Sequence, residues 1–404
     1  MTTEPVTGFL QGFYARLQRF AHAFSRRRFW QFYLALLCSL YCIVTNVPQY
    51  SVLTHGQARG IAVWHRLNQQ IDHPFTADSS NDPESHEALI AYRLVPPLLG
   101  KLLPTTDMVK RMQGLFVLQN MAGFFFFYLL IVFAETHFGN RLFSFLLPCC
   151  FAVLYAGKTF FFDTIFFFDG LAYLFLLASV CTRKPVWVLL TLLLAFFTDE
   201  RALIGSGFVM LYHVLQQQQT KRHRAAIISV VSAITVYMAM RLFLHLHFGL
   251  FTPSGDVHLL TTPVHTYFGF ILLGIFTAFK GFWVVLLLGL FVLKGFWPRV
   301  IYSGTLLAIV LGGVSVFDFS RSISYGFIGL LAVLFYLYKK EAQAVAMNKV
   351  LVLLLAVSFL YPVYDVHRHE VFITRTPFAK YFEARYQPMP GDRKGQSVLE
   401  QSTP

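Results

Sequence analysis

The sequence has 404 residues, of which 56% are hydrophobic, 17% are aromatic and only 13% are charged. Its mean hydropathy of +0.57 lies outside the range of soluble domains, which excludes an ordinary soluble enzyme or binding module. The net charge of +13 does not indicate nucleic acid as a partner, because most basic residues lie in short segments between apolar runs, where they orient membrane helices. The composition therefore predicts an all-α, polytopic helical membrane protein.

The N-terminal segment 1–28 is predicted to be a cytoplasmic amphipathic helix that lies at the membrane interface. Phe13 and Leu17 fall on one helical face together with further apolar residues, while Arg16 and Arg19 lie elsewhere on the helix. Three consecutive arginines precede the first apolar run. By the positive-inside rule, the N-terminus is therefore cytoplasmic.

The apolar runs of a membrane domain over residues 29–364 predict about eleven crossings, within a range of ten to twelve. The long polar stretch 50–110 is assigned to the outer, periplasmic side, and residues 365–404 are assigned to a periplasmic tail. One segment has two interpretations: residues 264–293 form either one long tilted span or an interfacial helix followed by a shorter span. The predicted crossings are 29–49, 112–134, 142–157, 164–181, two short segments within 185–215, 225–246, 264–293, 300–317, 322–338 and 349–364.

The run "LLLAFFTDERALIGSGF" places Asp199, Glu200 and Arg201 between two apolar segments. A single helix over 185–215 would put the basic residues at its two ends on opposite sides of the membrane, so two short helices are predicted. Each has about 13 or 14 apolar residues, roughly 20 Å of helix, which is short of the roughly 30 Å hydrocarbon core. The charged turn should therefore line a cavity that opens to the outside. The structural alternative is an internally paired cluster that fixes two helix ends.

Further charged residues fall at the same side of the predicted topology. Lys158 and Asp163 bracket the outer turn between the third and fourth crossings, and Asp169 is expected two helical turns further in, within "TIFFFDGLAYLF". An aspartate among phenylalanines is costly unless it is paired or hydrated, which makes Asp169 a functional candidate. A hydrogen bond that only holds two helices together is the alternative interpretation.

The remaining candidates come from the outer ends of later crossings and from the long outer loop. Asp318 and Arg321 lie three residues apart, where a simple ion pair is the alternative. The loop supplies Asp72 and Arg93, and arginine is suited to bidentate binding of phosphate. For Arg93, anchoring to lipid headgroups is the alternative.

The stretch "FFDTIFFFDGLAYLFLLA", followed by "LLLAFFTDERALIG", resembles the C-type (GT-C) membrane glycosyltransferases, which use polyprenyl-phosphate-linked sugars. The likeness covers mainly residues 30–215 and includes a long outer loop after the first span. It implies a GT-C-like fold and a periplasmic active site, with Asp163 or Asp169 as an acid and with Arg93 or Arg201 near the donor phosphate. Two features depart from the family. No acid directly follows the first span: the stretch "NVPQYSVLTHGQ" stands there, and Asp72 is the first acid. The charged turn between the two short helices has the order acid–acid–base, where the order base–acid is expected.

The expected function is transfer of a sugar from a polyprenyl-phosphate carrier to a glycan, lipid or protein acceptor, in the lipid bilayer of a bacterial inner (plasma) membrane. A polysaccharide polymerase or flippase and a non-catalytic membrane assembly factor are the alternatives. Neither the histidines nor the five cysteines show a spacing that assigns a metal, so the cofactor stays open. The catalytic candidates are Asp72, Asp163, Asp169, Asp199 and Glu200, and the substrate-binding candidates are Arg93, Lys158, Arg201, Asp318 and Arg321.

Overall fold

The structure is a computed structural model, and its described part is helical apart from one hairpin near the C-terminus. It describes residues 4–45, 58–75, 90–216, 221–250, 264–315, 318–338, 344–361, 363–367 and 370–374. The first ten helices are α1 (Glu4–Ser25), α2 (Trp30–Val44), α3 (Ala58–Asp72), α4 (Val95–Lys101), α5 (Met108–Phe138), α6 (Arg141–Ala152), α7 (Tyr155–Phe162), α8 (Asp169–Cys181), α9 (Pro185–Phe196) and α10 (Ala202–Gln216). The later elements are α11 (Lys221–Phe248), α12 (Val264–Phe279), a 3₁₀ turn (Lys280–Phe282), α13 (Trp283–Val292), α14 (Phe296–Ser315), α15 (Phe319–Ser324), α16 (Phe327–Tyr338), α17 (Ala344–Leu360), β1 (Val363–His367) and β2 (Glu370–Thr374).

Some of the apolar helices have the length that membrane crossing requires, and others are shorter. Within the described residues, five helices are long and apolar enough to cross a membrane, and α6 with α7, bent by 56°, is a sixth candidate if the pair forms one span. Five further apolar helices have 10–17 residues. This confirms the prediction of a helical protein with helices that could span a membrane. The number of crossings and their orientation stay predictions.

The structure shows how residues 185–215 and residues 268–292 fold. Residues 185–215 form two short helices, α9 and α10, joined by a turn at 197–201. Residues 268–292 form one helical segment that is long enough to cross a membrane, with a 3₁₀ turn in its middle. The Nζ of Lys280, in that turn, is buried and donates to three backbone oxygens at 2.7–2.9 Å.

The predicted crossing 164–181 begins later than expected. Helix α8 starts at Asp169, and residues 163–168 form an irregular turn. The prediction that Asp169 lies two turns inside a helix was therefore wrong, because the backbone of the preceding phenylalanine-rich stretch is not helical. Asp169 instead occupies the first turn of α8, where the helix dipole favours a negative charge.

Local signals explain the ends of the longer helices. Asp107 caps α5 by accepting a hydrogen bond from the Lys110 backbone at 2.8 Å. The same helix ends at Gly139, whose φ of +60° suits glycine, and Asn140 then caps α6 by accepting from the Phe143 backbone at 3.1 Å. Gly139 and Asn140 thus form a tight turn between two helices.

Helices α15 and α16 run through the centre of the bundle. Of the apolar stretch within Phe319–Tyr338, 94% is buried inside the protein, whereas only 22% of the equivalent stretch in α14 is. Glycines allow close contact with this centre: a Cβ at Gly329 would meet the Phe208 ring of α10 at 2.8 Å. The central position brings the start of α15 to the starts of α8 and α10.

The predicted outer loop and tail are described only in part. Within 50–110 the structure shows α3, α4 and the start of α5, while residues 50–57 and 76–89 lie outside the described residues, as does the "NVPQYSVLTHGQ" stretch. The predicted tail contains most of a two-stranded antiparallel hairpin in which Val363 pairs with Thr374. Residues 375–404 lie outside the described residues.

Candidate functional site: a buried arginine–carboxylate cluster

Arg201 lies in the turn between α9 and α10 and joins three carboxylates. Its Nε donates to Asp199 Oδ1 at 2.8 Å and its Nη2 donates to Asp199 Oδ2 at 2.6 Å, a bidentate pairing within the turn. Nη2 also donates to Asp169 Oδ1 at 2.7 Å, and Nη1 donates to Asp318 Oδ2 at 2.6 Å. The guanidinium therefore connects the α9–α10 turn to the first residue of α8 and to the residue before α15.

Arg321 makes a second connection between two of the same acids. Its Nε donates to Asp169 Oδ2 at 2.7 Å, and its Nη1 lies 3.1 Å from Asp318 Oδ2. Tyr325 donates its hydroxyl to Asp169 Oδ1 at 3.2 Å. The guanidinium carbon of Arg321 also lies 3.5 Å from the centroid of the Phe167 ring, a cation–π contact. Asp169 therefore accepts from two arginines and a tyrosine.

Arg93 joins the outer loop to the same turn. Its Nη2 donates to Glu200 Oε1 at 2.9 Å and lies 3.2 Å from Asp199 Oδ2, while its Nε donates to Glu200 Oε2 at 3.2 Å. The backbone N–H of Val95 donates to the Phe197 oxygen at 3.1 Å, which fixes the loop against the turn. Burial lowers the pKa of Arg93, but Asp199 and Glu200 outweigh it and raise the pKa above its usual value, so the guanidinium stays charged.

The arginine–carboxylate cluster comprises Arg93, Asp169, Asp199, Glu200, Arg201, Asp318 and Arg321. Most of its side chains are buried: Asp169 and Asp199 are fully buried, whereas Glu200, at 31% exposure, is the most accessible. Four carboxylates face three guanidinium groups. Because an unpaired charge in such a place would be costly, the reciprocal pairing is what permits these residues to lie here.

Asp163 is a buried carboxylate beside this cluster. Its Oδ2 accepts a hydrogen bond from the Phe168 backbone at 2.9 Å, whereas its buried Oδ1 has no hydrogen-bond partner among the described residues. Asp169 and Arg321 are close enough to act on it electrostatically. Within the described part of the chain, Asp163 forms no ion pair, which distinguishes it from the four acids of the cluster.

The turn that carries Asp163 is strained and held by distant residues. Phe166 and Phe168 have φ values of 66° and 61°, in the left-handed region that costs a non-glycine residue about 1–3 kcal/mol. Gln119 Nε2 donates to the Asp163 backbone oxygen at 3.2 Å, and Trp64 Nε1 donates to the oxygen of the next residue at 3.0 Å. Such strain persists only where the surrounding structure imposes it, and it often marks functional sites.

Two predicted site residues lie outside the ion pairs of the cluster. Lys158, on α7, is buried, donates to Thr45 Oγ1 at 3.0 Å and lies 5.4 Å from the centroid of the Tyr41 ring. Asp72, at the end of α3, accepts from Arg111 Nη1 at 2.8 Å, and 46% of its side chain is exposed. Of the ten candidates, seven form the cluster, Asp163 lies beside it, and these two make other contacts.

Some residues at the site were not anticipated from the sequence. Ser322 accepts from Arg201 Nη1 at 3.3 Å, and Tyr173 donates to the backbone oxygen of Arg321 at 2.9 Å. Tyr325, described above, was not anticipated either. Helical spacing is the one signal that could have indicated the two tyrosines: Tyr173 is four residues after Asp169, and Tyr325 is four residues after Arg321.

Metal binding is not assigned to particular residues. Among the described residues, no group of three or more His, Cys, Asp or Glu side chains is arranged to hold a metal ion. The cluster acids are instead directed at arginines.

No protein-family model matches this chain, and no curated protein and no solved structure is significantly similar to it. The resemblance to C-type glycosyltransferases therefore rests on the sequence features described above. The function has to be argued from the geometry of the site.

Proposed function

We propose that this protein is a C-type membrane glycosyltransferase, which transfers a sugar from a polyprenyl-phosphate carrier to a glycan, lipid or protein acceptor. The reaction takes place at the periplasmic side of a bacterial inner (plasma) membrane. One observation carries the proposal: Asp163, a buried carboxylate with an oxygen that accepts no hydrogen bond from the described residues, lies beside a cluster of charged side chains from four separate segments.

The distribution of basic residues supports the periplasmic orientation. Asp169 begins α8 and Arg201 precedes α10, so the cluster lies at one end of both helices. The other end of α8 is followed by Arg183 and Lys184, both exposed. By the positive-inside rule these two residues face the cytoplasm, and the cluster then faces the opposite side.

Helix length supports a site below the membrane surface. Helix α9 has 12 residues, or about 18 Å at 1.5 Å per residue, which is well short of the roughly 30 Å hydrocarbon core. Charged groups at that depth face protein or water. A site there could receive the phosphate of a carrier lipid, whose chain remains in the bilayer.

The proposed chemistry needs a base and a set of cations. Asp163 accepts the proton of the acceptor hydroxyl, while the oxygen of that hydroxyl forms a bond to the anomeric carbon of the sugar. The bond from that carbon to the phosphate oxygen breaks, and the carrier phosphate leaves with the electron pair. Positive groups stabilise the charge that develops on the departing oxygen, so no protein nucleophile is needed.

The variant Asp163→Asn tests this assignment directly. Because Asp163 forms no ion pair within the described residues, the amide should leave the fold intact while removing the base, and sugar transfer should fall about 100-fold or more. Transfer is measured with purified full-length protein and a panel of undecaprenyl-phosphate-linked radiolabelled sugars. Asp107→Asn, at an exposed helix cap, is the matched control. Full transfer by a folded Asp163→Asn protein would show that Asp163 is not the base.

A second candidate function, a non-catalytic membrane assembly factor, is favoured by a different observation. Each arginine of the cluster already pairs with carboxylates, as expected of a purely structural network. The two functions differ in the behaviour of Asp163→Asn in cells that depend on this protein for a surface glycan. A transferase loses the glycan at normal protein abundance, whereas an assembly factor retains it.

A further inference from the structure

A fourth arginine lies near the arginine–carboxylate cluster and forms no ion pair with an acid among the described residues. Arg241 is on α11, and its guanidinium carbon lies 4.2 Å from the centroid of the Tyr92 ring and 5.8 Å from that of Tyr237. Its Nη1 also lies 3.4 Å from the Tyr237 hydroxyl. The two rings hold the guanidinium in place without neutralising its charge.

The surroundings of Arg241 connect it to the site. Tyr92 directly precedes Arg93, and its hydroxyl donates to the Leu250 oxygen at 2.8 Å. Tyr237 lies 5.0 Å from Phe197, ring centroid to ring centroid, and Phe197 belongs to the turn that carries Glu200. The two rings that contact Arg241 therefore adjoin the segments that carry Arg93 and Glu200, the pair of the cluster that is most open to solvent.

The charges explain why a fourth arginine matters. Four acids and three arginines leave the arginine–carboxylate cluster with one net negative charge, and Asp163 adds another when ionised. An anionic phosphate would be repelled by that excess, and the three cluster arginines already donate to carboxylates. Among the described residues, Arg241 has no carboxylate within ion-pair distance, and it is only half-buried.

We propose that Arg241 binds the phosphate group of the carrier lipid, held in place by Tyr92 and Tyr237. This inference rests on the proposed function for the identity of the ligand. A guanidinium presents two parallel N–H donors to two phosphate oxygens, and stacking on an aromatic ring leaves those donors free at its edge. The same chemistry would bind an ordinary phospholipid headgroup or free phosphate, so the test has to separate these sources.

The test measures lipid binding without any sugar transfer. Full-length protein in phosphatidylcholine nanodiscs is titrated with undecaprenyl phosphate, with phosphatidylglycerol and with inorganic phosphate, and binding is followed by native mass spectrometry. The variants are Arg241→Gln and Arg241→Lys. Arg224→Gln is the matched control, because Arg224 is exposed at the opposite end of the same helix. Thermal unfolding of each variant shows whether it is folded.

Arg241→Gln is expected to weaken undecaprenyl phosphate binding by roughly 10- to 100-fold, because charge-assisted hydrogen bonds are lost. Arg241→Lys should recover part of the affinity, and Arg224→Gln should bind as the unaltered protein does. Unchanged binding by a folded Arg241→Gln protein would overturn the proposal. Equal affinity for phosphatidylglycerol would also overturn it, since Arg241 would then be a general headgroup anchor, and equal affinity for inorganic phosphate would exclude a carrier-specific site.

These outcomes are separable from those for the transferase itself. If Asp163→Asn abolishes transfer while Arg241→Gln binds the carrier normally, the function stands and the role of Arg241 falls. If Arg241→Gln loses the carrier but no sugar is ever transferred, the lipid-phosphate site stands and the transferase assignment falls.

Discussion

Replacing Asp169 by asparagine should remove the anchor of the arginine–carboxylate cluster. The carboxylate accepts from Arg201 and Arg321 at 2.7 Å each, and from Tyr325 at 3.2 Å, and it is fully buried. Asparagine keeps the shape but loses the charge, and it turns an NH₂ group toward guanidinium donors. Two charge-assisted hydrogen bonds are worth about 1.5–3 kcal/mol each, and removing one partner of a buried ion pair costs about 3–5 kcal/mol.

The two estimates agree on a loss of about 3–5 kcal/mol, which is a large fraction of a typical folding free energy of about 5–15 kcal/mol. The measurement is the free energy of unfolding in mixed detergent micelles. Asp107→Asn makes the same chemical change at an exposed helix cap, where asparagine caps as well as aspartate, so it should cost almost nothing.

A double variant separates the ion pairs from the change in shape. In Asp169→Asn with Arg321→Gln, one of the two arginines that lose the Asp169 carboxylate is also replaced, so the double variant should be less unstable than the sum of the single variants, by about 1–3 kcal/mol. If Asp169→Asn unfolded with a free energy within about 0.5 kcal/mol of Asp107→Asn, the claim that this network holds the ends of the helices together would be refuted.

Two further predictions concern packing and orientation. Gly157→Ala should destabilise the protein by about 1–3 kcal/mol, because the new Cβ would lie 2.2 Å from the Phe151 backbone oxygen. Gly304→Ala, with open space around the new Cβ, should be neutral or stabilising. Unfolding in mixed micelles measures the stability of both variants, and equal stability would contradict the described packing at Gly157. In a background without native cysteines, Glu200→Cys should react with an impermeant maleimide that is added outside the cell. Arg183→Cys should react only after the cytoplasmic side is opened. The reverse labelling pattern would show that the proposed orientation is wrong.

Local patterns in the sequence predicted that the chain is helical and that it breaks within residues 185–215. The length of each apolar run and the basic residues at its ends were enough to predict two short helices within 185–215, because a break with three charges cannot continue an apolar helix across a bilayer. Such signals act over one or two helical turns, so they can be read from consecutive residues.

The prediction from the sequence was wrong where the backbone conformation is fixed by residues that are distant in the chain. Asp169 was expected inside a helix because the phenylalanine-rich stretch before it is as apolar as a span. The turn before α8 is instead fixed by Trp64, which is 100 residues away from its acceptor, and by Gln119, 44 residues from Asp163. Hydrogen bonds over such separations leave no periodic signal in the chain.

The sequence by itself therefore determined that this is a helical chain suited to a membrane, with its unusual charges grouped at one end of the helices. Only the tertiary structure decided which charges meet. Arg93 reaches its acid across 107 residues and Arg321 across 152, while Lys158 and Asp72, equally plausible by type and position, lie outside these ion pairs. The physical reason is that apolar length and basic flanks act locally, whereas the pairing of buried charges depends on which helix ends are brought together by the packing of the whole bundle.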